Sequence, residues 1–389
     1  MNDKIRVVHV AQANGGVECY LKTFLNKVDF NKYEHYLILS KQYIKSKELF
    51  ERMGAKVYIV DMPREMSVKS DLKAMFNIWK ILKELKPNIV YSHSSKAGGV
   101  ARIPAKLVGA INIYNPHGWA FDMNISSKKK IVYVIIEKIL AIVTNKIIAI
   151  SEYEQKVALE KNITKSSKIK LIENAIEIEK FNVGENSERL LNKLNWSSED
   201  VIFGTVARIS EQKSPKTFIE IAEKISKKVP NSKFLMVGDG DLRAEIESLI
   251  NEKNMQDKFY ITGWVENSNE YIELFDFALL TSKWEGFGLV IPEYMVSKKV
   301  VLASNVGGIS NIIRNEETGY LIKDLDVDVF VEKILLLIND NNLKSKIISN
   351  AYNEAVKRFD SNRLVKEHEM IFENLCRSKK IFYEKEGME

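Results

Sequence analysis

Two glutamates, Glu285 and Glu293, stand eight positions apart in the segment SKWEGFGLVIPEYMVSKKVV (residues 282–301), with Gly286, Gly288 and Pro292 between them. A plain explanation serves Glu293 by itself. Pro292 suits the first turn of a helix, and a carboxylate just behind it favours the positive end of the helix dipole. That leaves Glu285 unexplained, together with glycines that leave the helix amides uncovered. An uncovered helix N-terminus seats an anion, and two carboxylates beside it can accept hydrogen bonds from vicinal hydroxyls. An anion seat with two hydroxyl acceptors describes a sugar nucleotide.

Other residues with chemical potential follow apolar runs elsewhere. GTVARISEQKSPKTF places Arg208 and Lys213 directly after a buried run. A guanidinium and an ammonium left isolated there suit a diphosphate, the alternative being solvated loop charges. QANGGVE (12–18) leads Gly15 and Gly16 into a helix, as an anion cradle or a tight turn. It is not G-x-G-x-x-G, which argues against a dinucleotide and hence against a nicotinamide oxidoreductase. SHSSKAGG (92–99) and NPHGW (115–119) end two further runs with His93 and His117, either satisfied polar groups or functional ones. Neither histidine belongs to an H-x-x-x-H pattern, so no metal site is expected. The acidic pairs of DGD (239–241) and DLD (324–326) read as helix caps and turns rather than as metal ligands.

The elements that must hold these residues alternate between short apolar runs and amphipathic stretches. Strands are expected at 5–11, 35–40, 56–60, 88–93, 111–115, 146–151 and 169–173, with helices such as 71–85 between them. The grammar restarts with strands at 201–207, 233–238, 258–263, 277–282 and 299–304, and becomes helical beyond residue 325. Such alternation implies parallel sheets covered by helices on both faces. Because it begins twice, the chain reads as two doubly wound α/β domains facing each other, at 1–180 and 181–360. A C-terminal helix at about 361–389 is long enough to return to the first. Ligands of open α/β sheets lie beyond the carboxyl ends of the strands, which points to the cleft between the domains.

Composition agrees. A chain of 389 residues suits two domains of about 180 each, and 45% hydrophobic with 28% charged residues is ordinary for a globular protein. Two cysteines, Cys19 and Cys376, exclude a disulfide framework and suit a reducing cytoplasm. The N-terminus enters a strand at once, so no signal peptide is expected. The most apolar run, 131–143, contains Glu137 and Lys138 and is too short to span a bilayer. Residues 1–180 carry 30 Lys and Arg against 18 Asp and Glu, whereas 181–389 carry 28 against 34. A basic half suggests contact with a polyanion or an anionic membrane, or simply a lysine-rich surface.

EGFGLVIPE resembles the E-x7-E motif of retaining glycosyltransferases of the GT-B fold, and nearly the whole chain is similar to glycosyltransferase family 4. GTVARISEQKSPKTFIEIA, FLMVGDGDLR, ITGWVEN, SNVGGISNII and NEETGYLI occur in the family's order, as do NGGVE, PHGW and IIAISE. The resemblance implies a GT-B fold of two facing Rossmann-like domains with the active site in the interdomain cleft. It also implies a nucleotide-sugar donor, a UDP-sugar, whose diphosphate Arg208 and Lys213 would hold and whose ribose Glu293 would bind. Glu285, Gly286 and the amides of Phe287, Gly288 and Leu289 would face the donor sugar and phosphate. Gly15 and Gly16 would let a first-domain loop close over the phosphates, His117 would touch the donor sugar, and Val265 lies where the family contacts the base. His117, Arg208, Lys213 and Glu285 are thus the catalytic candidates, and no metal or other cofactor is implied. Two positions depart from the pattern: Asn311 stands where relatives carry a carboxylate, and Ala175 where they carry glycine.

In this fold the first domain binds the acceptor, here through His93, Lys96 and His117. Lys128, Lys129 and Lys130 precede the apolar stretch 131–143. This is a core helix behind solvated lysines, or a surface that rests on an anionic leaflet. On the second reading the enzyme is cytoplasmic and peripheral to the membrane. Its acceptor is then a saccharide on a polyprenyl diphosphate, as in capsule, exopolysaccharide or O-antigen assembly. No nucleic-acid partner is expected. A sugar-nucleotide epimerase or a non-catalytic sugar-nucleotide-binding protein are the alternatives.

Overall fold

Runs of Val, Ile and Tyr supply the strands, because β-branched and aromatic side chains fit a pleated surface covered on both faces. The computed structural model describes residues 4–12, 15–63, 65, 67–181 and 187–379. The chain divides into two compact units. One runs to Ala175 and resumes at Ser361, and the other is Ile176–Asp360.

The first unit is built on β1 (Ile5–Ala11), β2 (Tyr33–Ser40), β3 (Lys56–Val60), β4 (Ile89–His93), β5 (Ile111–Asn115), β6 (Lys146–Ala149) and β7 (Ile169–Leu171). They form one sheet in the order β3-β2-β1-β4-β5-β6-β7, every pair parallel. Helices Gly16–Lys27 and Ser361–Ser378 cover one face, where Tyr20, Phe24, Leu364 and Phe372 bury Val7 and Tyr91. Helices Val68–Leu85 and Ser95–Leu107 cover the other, setting Ile78, Leu82 and Ala101 on Val8, Val10 and Val90.

The second unit holds β8 (Val201–Val206), β9 (Ser232–Val237), β10 (Phe259–Ile261), β11 (Phe277–Leu280), β12 (Val300–Ser304) and β13 (Tyr320–Ile322). This sheet is also parallel, in the order β10-β9-β8-β11-β12-β13. Its core packs Phe203, Phe234 and Phe277 against Phe218, Ile246 and Phe330 of the covering helices. The three-residue strand β13 lies outside the sequence expectation. The strand expected at 146–151 stops at Ala149, because the Ser151 hydroxyl caps helix Glu152–Glu160 by accepting from the amide of Glu154.

Among the polar groups buried in the first unit, Arg102 and Glu137 form an ion pair. The Arg102 guanidinium donates to Glu137 Oε2 at 2.7 Å and to the carbonyl of Gly98 at 2.9 Å, and it lies 3.9 Å above the Tyr114 ring. The Tyr114 hydroxyl donates to Glu137 Oε1 at 2.9 Å. Removing one partner leaves a buried charge without its counter-ion. Arg102→Met should therefore cost about 3–5 kcal/mol in chemical denaturation, and adding Glu137→Gln should recover much of that loss.

Candidate functional site

In the second unit the loops that follow β8, β9, β11 and β12 meet. The loop after β11 carries Glu285, and its main chain rests directly on Gly307 and Gly308 after β12. A Cβ on Gly307 would lie 2.0 Å from the Glu285 carbonyl oxygen, and one on Gly308 would lie 2.1 Å from that of Gly286. Gly307 also has a φ of +52°, and the amide of Gly308 donates to the Glu285 carbonyl at 2.9 Å. Only glycine permits this approach.

The loop after β8 is fastened to the same segment. The Gln212 side chain donates to the Trp284 carbonyl at 3.0 Å, the Lys283 amide donates to the Gln212 carbonyl at 2.7 Å, and Lys283 pairs with Glu211. The Thr281 hydroxyl donates to the Lys213 carbonyl at 2.9 Å. These ties set the Lys213 ammonium against the Glu285 carboxylate, which also accepts from the Ser282 hydroxyl at 3.2 Å. Arg208 donates to Asp241 at 3.1 Å. Arg208 and Lys213 are therefore not the isolated cations expected from sequence, because neighbouring loops bring each a carboxylate. Asp239 and Asp241 likewise do not cap helix Arg243–Glu252. Its N-cap is Leu242, while Asp239 pairs with Arg243. Asp326 does cap the helix that follows it, accepting from the amides of Asp328 and Val329.

Glu293 sits in the first turn of helix Val290–Val296. That helix is pinned to the end of β8 by the Tyr294 hydroxyl, which accepts from the Val206 amide at 2.7 Å. The Glu293 carboxyl has no hydrogen-bond or ionic partner among the described residues, and burial alone lifts it to about 8. The amides of Phe287, Gly288 and Leu289 donate to no group among the described residues. The Phe287 ring is buried edge-on against Phe359, so that residue offers only its main chain to a ligand. Val265 is half-buried in the loop after β10, beside a Trp264 that is 68% exposed.

In the first unit Gly15, at φ +55°, is the N-cap of helix Gly16–Lys27. His117 follows β5 at φ +49°, its amide donating to the Asn115 side chain at 3.0 Å. The neighbouring Gly118 amide donates to the buried carboxylate of Glu154, which also accepts from Ile150. His93 lies deeper than its place at a strand end suggests. It is fully buried on β4 with both ring nitrogens engaged by His9 and His117, which gives no support to contact with an acceptor. Lys96 is 10% exposed and is bound to Asp71 and to the Glu65 carbonyl, joining two helix starts, which gives no support to a role at the acceptor. Sequence reasoning quoted the VGG segment without giving Gly307 and Gly308 a role, and it passed over Tyr294, Trp264 and Glu154. A pair of adjacent glycines directly after a strand was the available signal for Gly307 and Gly308. Among the described residues no group of three or more His, Cys, Asp or Glu side chains could hold a metal ion.

Glu293 carries a pH signature. Its carboxyl ionises near 8 in the folded chain against an ordinary 4.5, so the folded form keeps a proton that the unfolded form releases. The associated stability is complete below pH 4.5 and is lost as pH rises through 8. Glu293→Gln should thus gain on the wild type by about 1–3 kcal/mol between pH 5 and 8.5 in denaturation titrations.

Two family models match the chain: Glycosyltransferase Family 4 over residues 14–180, and Glycosyl transferases group 1 over residues 186–354. An Escherichia coli UDP-Gal:alpha-D-GlcNAc-diphosphoundecaprenol alpha-1,3-galactosyltransferase is 30% identical, over 78% of this chain and 81% of that protein. The capsular polysaccharide biosynthesis glycosyltransferase CapM of Staphylococcus aureus is 28% identical, over 84% and 87%. Among solved structures, Anabaena HepE in complex with UDP and glucose superposes with a TM-score of 0.82 at 19% identity, over 95% of this chain and 99% of that one.

Proposed function

Since this chain belongs to glycosyltransferase family 4, we propose that it moves a sugar from a UDP-sugar to a lipid-linked saccharide, with retention of configuration at the transferred carbon. The observation that carries this reading is the half-buried, unpartnered Glu293 carboxyl, which follows the free amides of Phe287, Gly288 and Leu289 within one short segment. A partnerless carboxyl held in place by the fold is suited to vicinal hydroxyls, which the ribose of a nucleotide presents. Free amides with Arg208 and Lys213 suit the diphosphate.

In the reaction the bond between the sugar C1 and the β-phosphate oxygen breaks as an oxocarbenium-like sugar develops. Arg208 and Lys213 stabilise the departing diphosphate, and Lys213 exchanges part of its contact with Glu285 for phosphate oxygen. Glu285 and His117 then face the donor sugar, Gly15 and Gly16 approach the phosphates, and Val265 lies at the base. The acceptor oxygen bonds to C1 on the face the phosphate leaves, and its proton passes to a phosphate oxygen. Arg208 and Lys213 supply the positive charge, so the reading assigns no metal.

The donor is tested by incubating the protein with UDP-, GDP- and ADP-sugars, with and without a membrane lipid extract. We expect UDP release from one sugar, raised by lipid, with Arg208→Ala and Lys213→Ala each lowering it by about 10²–10³. Unchanged turnover in both variants would remove these roles. Binding without release would indicate a non-catalytic binder, and conversion of the sugar without UDP release an epimerase.

Helix Ser127–Ile142 bears on the acceptor. It buries Glu137, Leu140 and Ala141 but leaves Ile131, Ile135, Ile139 and Ile142 between 50% and 76% exposed along one stripe. The exposed Lys128 and Lys129 stand at its start. No helix among the described residues is long and apolar enough to cross a membrane. An isoleucine stripe beside lysines suits an anionic membrane surface, where a polyprenyl-linked acceptor would reside. The protein should float with phosphatidylglycerol vesicles at moderate salt, and Ile131→Gln with Ile135→Gln and Ile139→Gln should abolish this. A wild type that stays at the bottom of the gradient removes the membrane from the reading.

A further inference from the structure

The chain has five histidines, and four of them form a single file. His117 Nε2 lies 3.1 Å from His93 Nδ1, His93 Nε2 lies 3.0 Å from His9 Nδ1, and His9 Nε2 lies 3.0 Å from His35 Nδ1. Strand register explains the line. Val7 pairs with His35, Tyr91 with His9 and Asn115 with His93, so each histidine is two residues beyond the partner of the one before. Steps of two keep all the rings on one face of the sheet, where Tyr20, Phe24 and Tyr91 pack around them at tilted and edge-on angles.

Each link joins an Nε2 to an Nδ1 in the same sense. A neutral imidazole donates from one nitrogen and accepts at the other, so all four rings must carry the proton on Nδ1 or all on Nε2. Burial keeps the set neutral, holding His35 and His117 near 3 and His9 and His93 well below their ordinary range. The two arrangements differ at the buried end. His35 Nε2 is buried without a partner. Protons on Nε2 would leave a donor stranded there, at a cost of about 1–3 kcal/mol, whereas protons on Nδ1 leave only an idle lone pair. At the other end, His117 Nδ1 has no partner among the described residues, and that residue is part-exposed.

We propose that His35, His9 and His93 are positioning residues that fix His117 with its proton on Nδ1, so that His117 meets the substrate as a hydrogen-bond donor to an oxygen. The inference rests on the placement of His117 against the donor sugar given above. The fifth histidine shows the same logic. His368 Nδ1 lies 2.7 Å from the Leu364 carbonyl and must donate, which turns its Nε2 to accept from Tyr20 or Tyr91.

The test is the long-range 1H–15N spectrum of full-length protein labelled with 15N-histidine, His117 being assigned by loss of its signals in His117→Asn. We expect His117 as the Nδ1–H form, opposite to free histidine, and conversion to Nε2–H in His93→Phe. With UDP-glucose, UDP-galactose or UDP-N-acetylglucosamine, whichever the wild type uses, His93→Phe should lower kcat about tenfold or more while KM changes little. A wild-type His117 with its proton on Nε2 overturns the relay whatever the enzyme's substrate. An Nδ1–H form in the wild type with full turnover in folded His93→Phe overturns the positioning role instead. Should that variant fail to fold, the wild-type spectrum decides the tautomer and kcat of His9→Asn decides the role, a tenfold fall supporting it and wild-type turnover overturning it.

Discussion

Main chain resting on main chain governs the second unit's site. Gly307 and Gly308 admit the carbonyls of Glu285 and Gly286 at distances that any Cβ would block, and Gly238 and Gly240 do the same for the carbonyls of Ala207 and Ile209. Four missing methyl groups thus let the loops after β8, β9, β11 and β12 stack at the sheet edge. Arg208, Lys213, Glu285 and Glu293 then project from a surface whose shape is fixed by backbone contact rather than by adaptable side-chain packing.

Stacked so closely, the loops neutralise one another's charges unequally. Arg208 and Asp241 meet with side chains 50% and 61% exposed, and such a pair contributes little that a ligand would have to replace. Lys213 and Glu285 are 18% and 13% exposed, so water is largely excluded and their contact orients both groups. Of the four projecting groups, Glu293 alone is left without a counterpart among the described residues. The site therefore contains a loose cation, a held ion pair and an open acceptor, each with a different readiness to change partners.

Much of this was legible in the sequence for a physical reason. Strands buried on both faces of a parallel sheet are continuous apolar runs, and β1, β3 and β5 coincide residue for residue with the runs expected. Chemistry at strand ends follows from the same pattern, which brought Arg208, Lys213, Glu285, Glu293 and His117 into view. Partners were less visible, because Asp241 meets Arg208 and Glu285 meets Lys213 only across stacked loops. Depth was hidden too. Nothing in SHSSKAGG distinguishes a buried His93 from an exposed one, since that depends on helix Ser361–Ser378 covering the sheet from far along the chain. His9 and His35 were passed over because one lies inside an apolar run and the other opens one, and a polar residue at such a place leaves no break in the period.

That distant helix has a consequence in time. The chain leaves the first unit at Ala175, builds all of the second, and re-enters at Ser361. On the ribosome, Tyr20, Phe24 and Tyr91 therefore emerge early and wait uncovered until Leu364, His368 and Phe372 are made. The second unit, continuous in sequence, can close first. Completion thus runs opposite to the numbering: the unit that begins the chain is the last to be finished, and its waiting aromatic face is what a chaperone would meet.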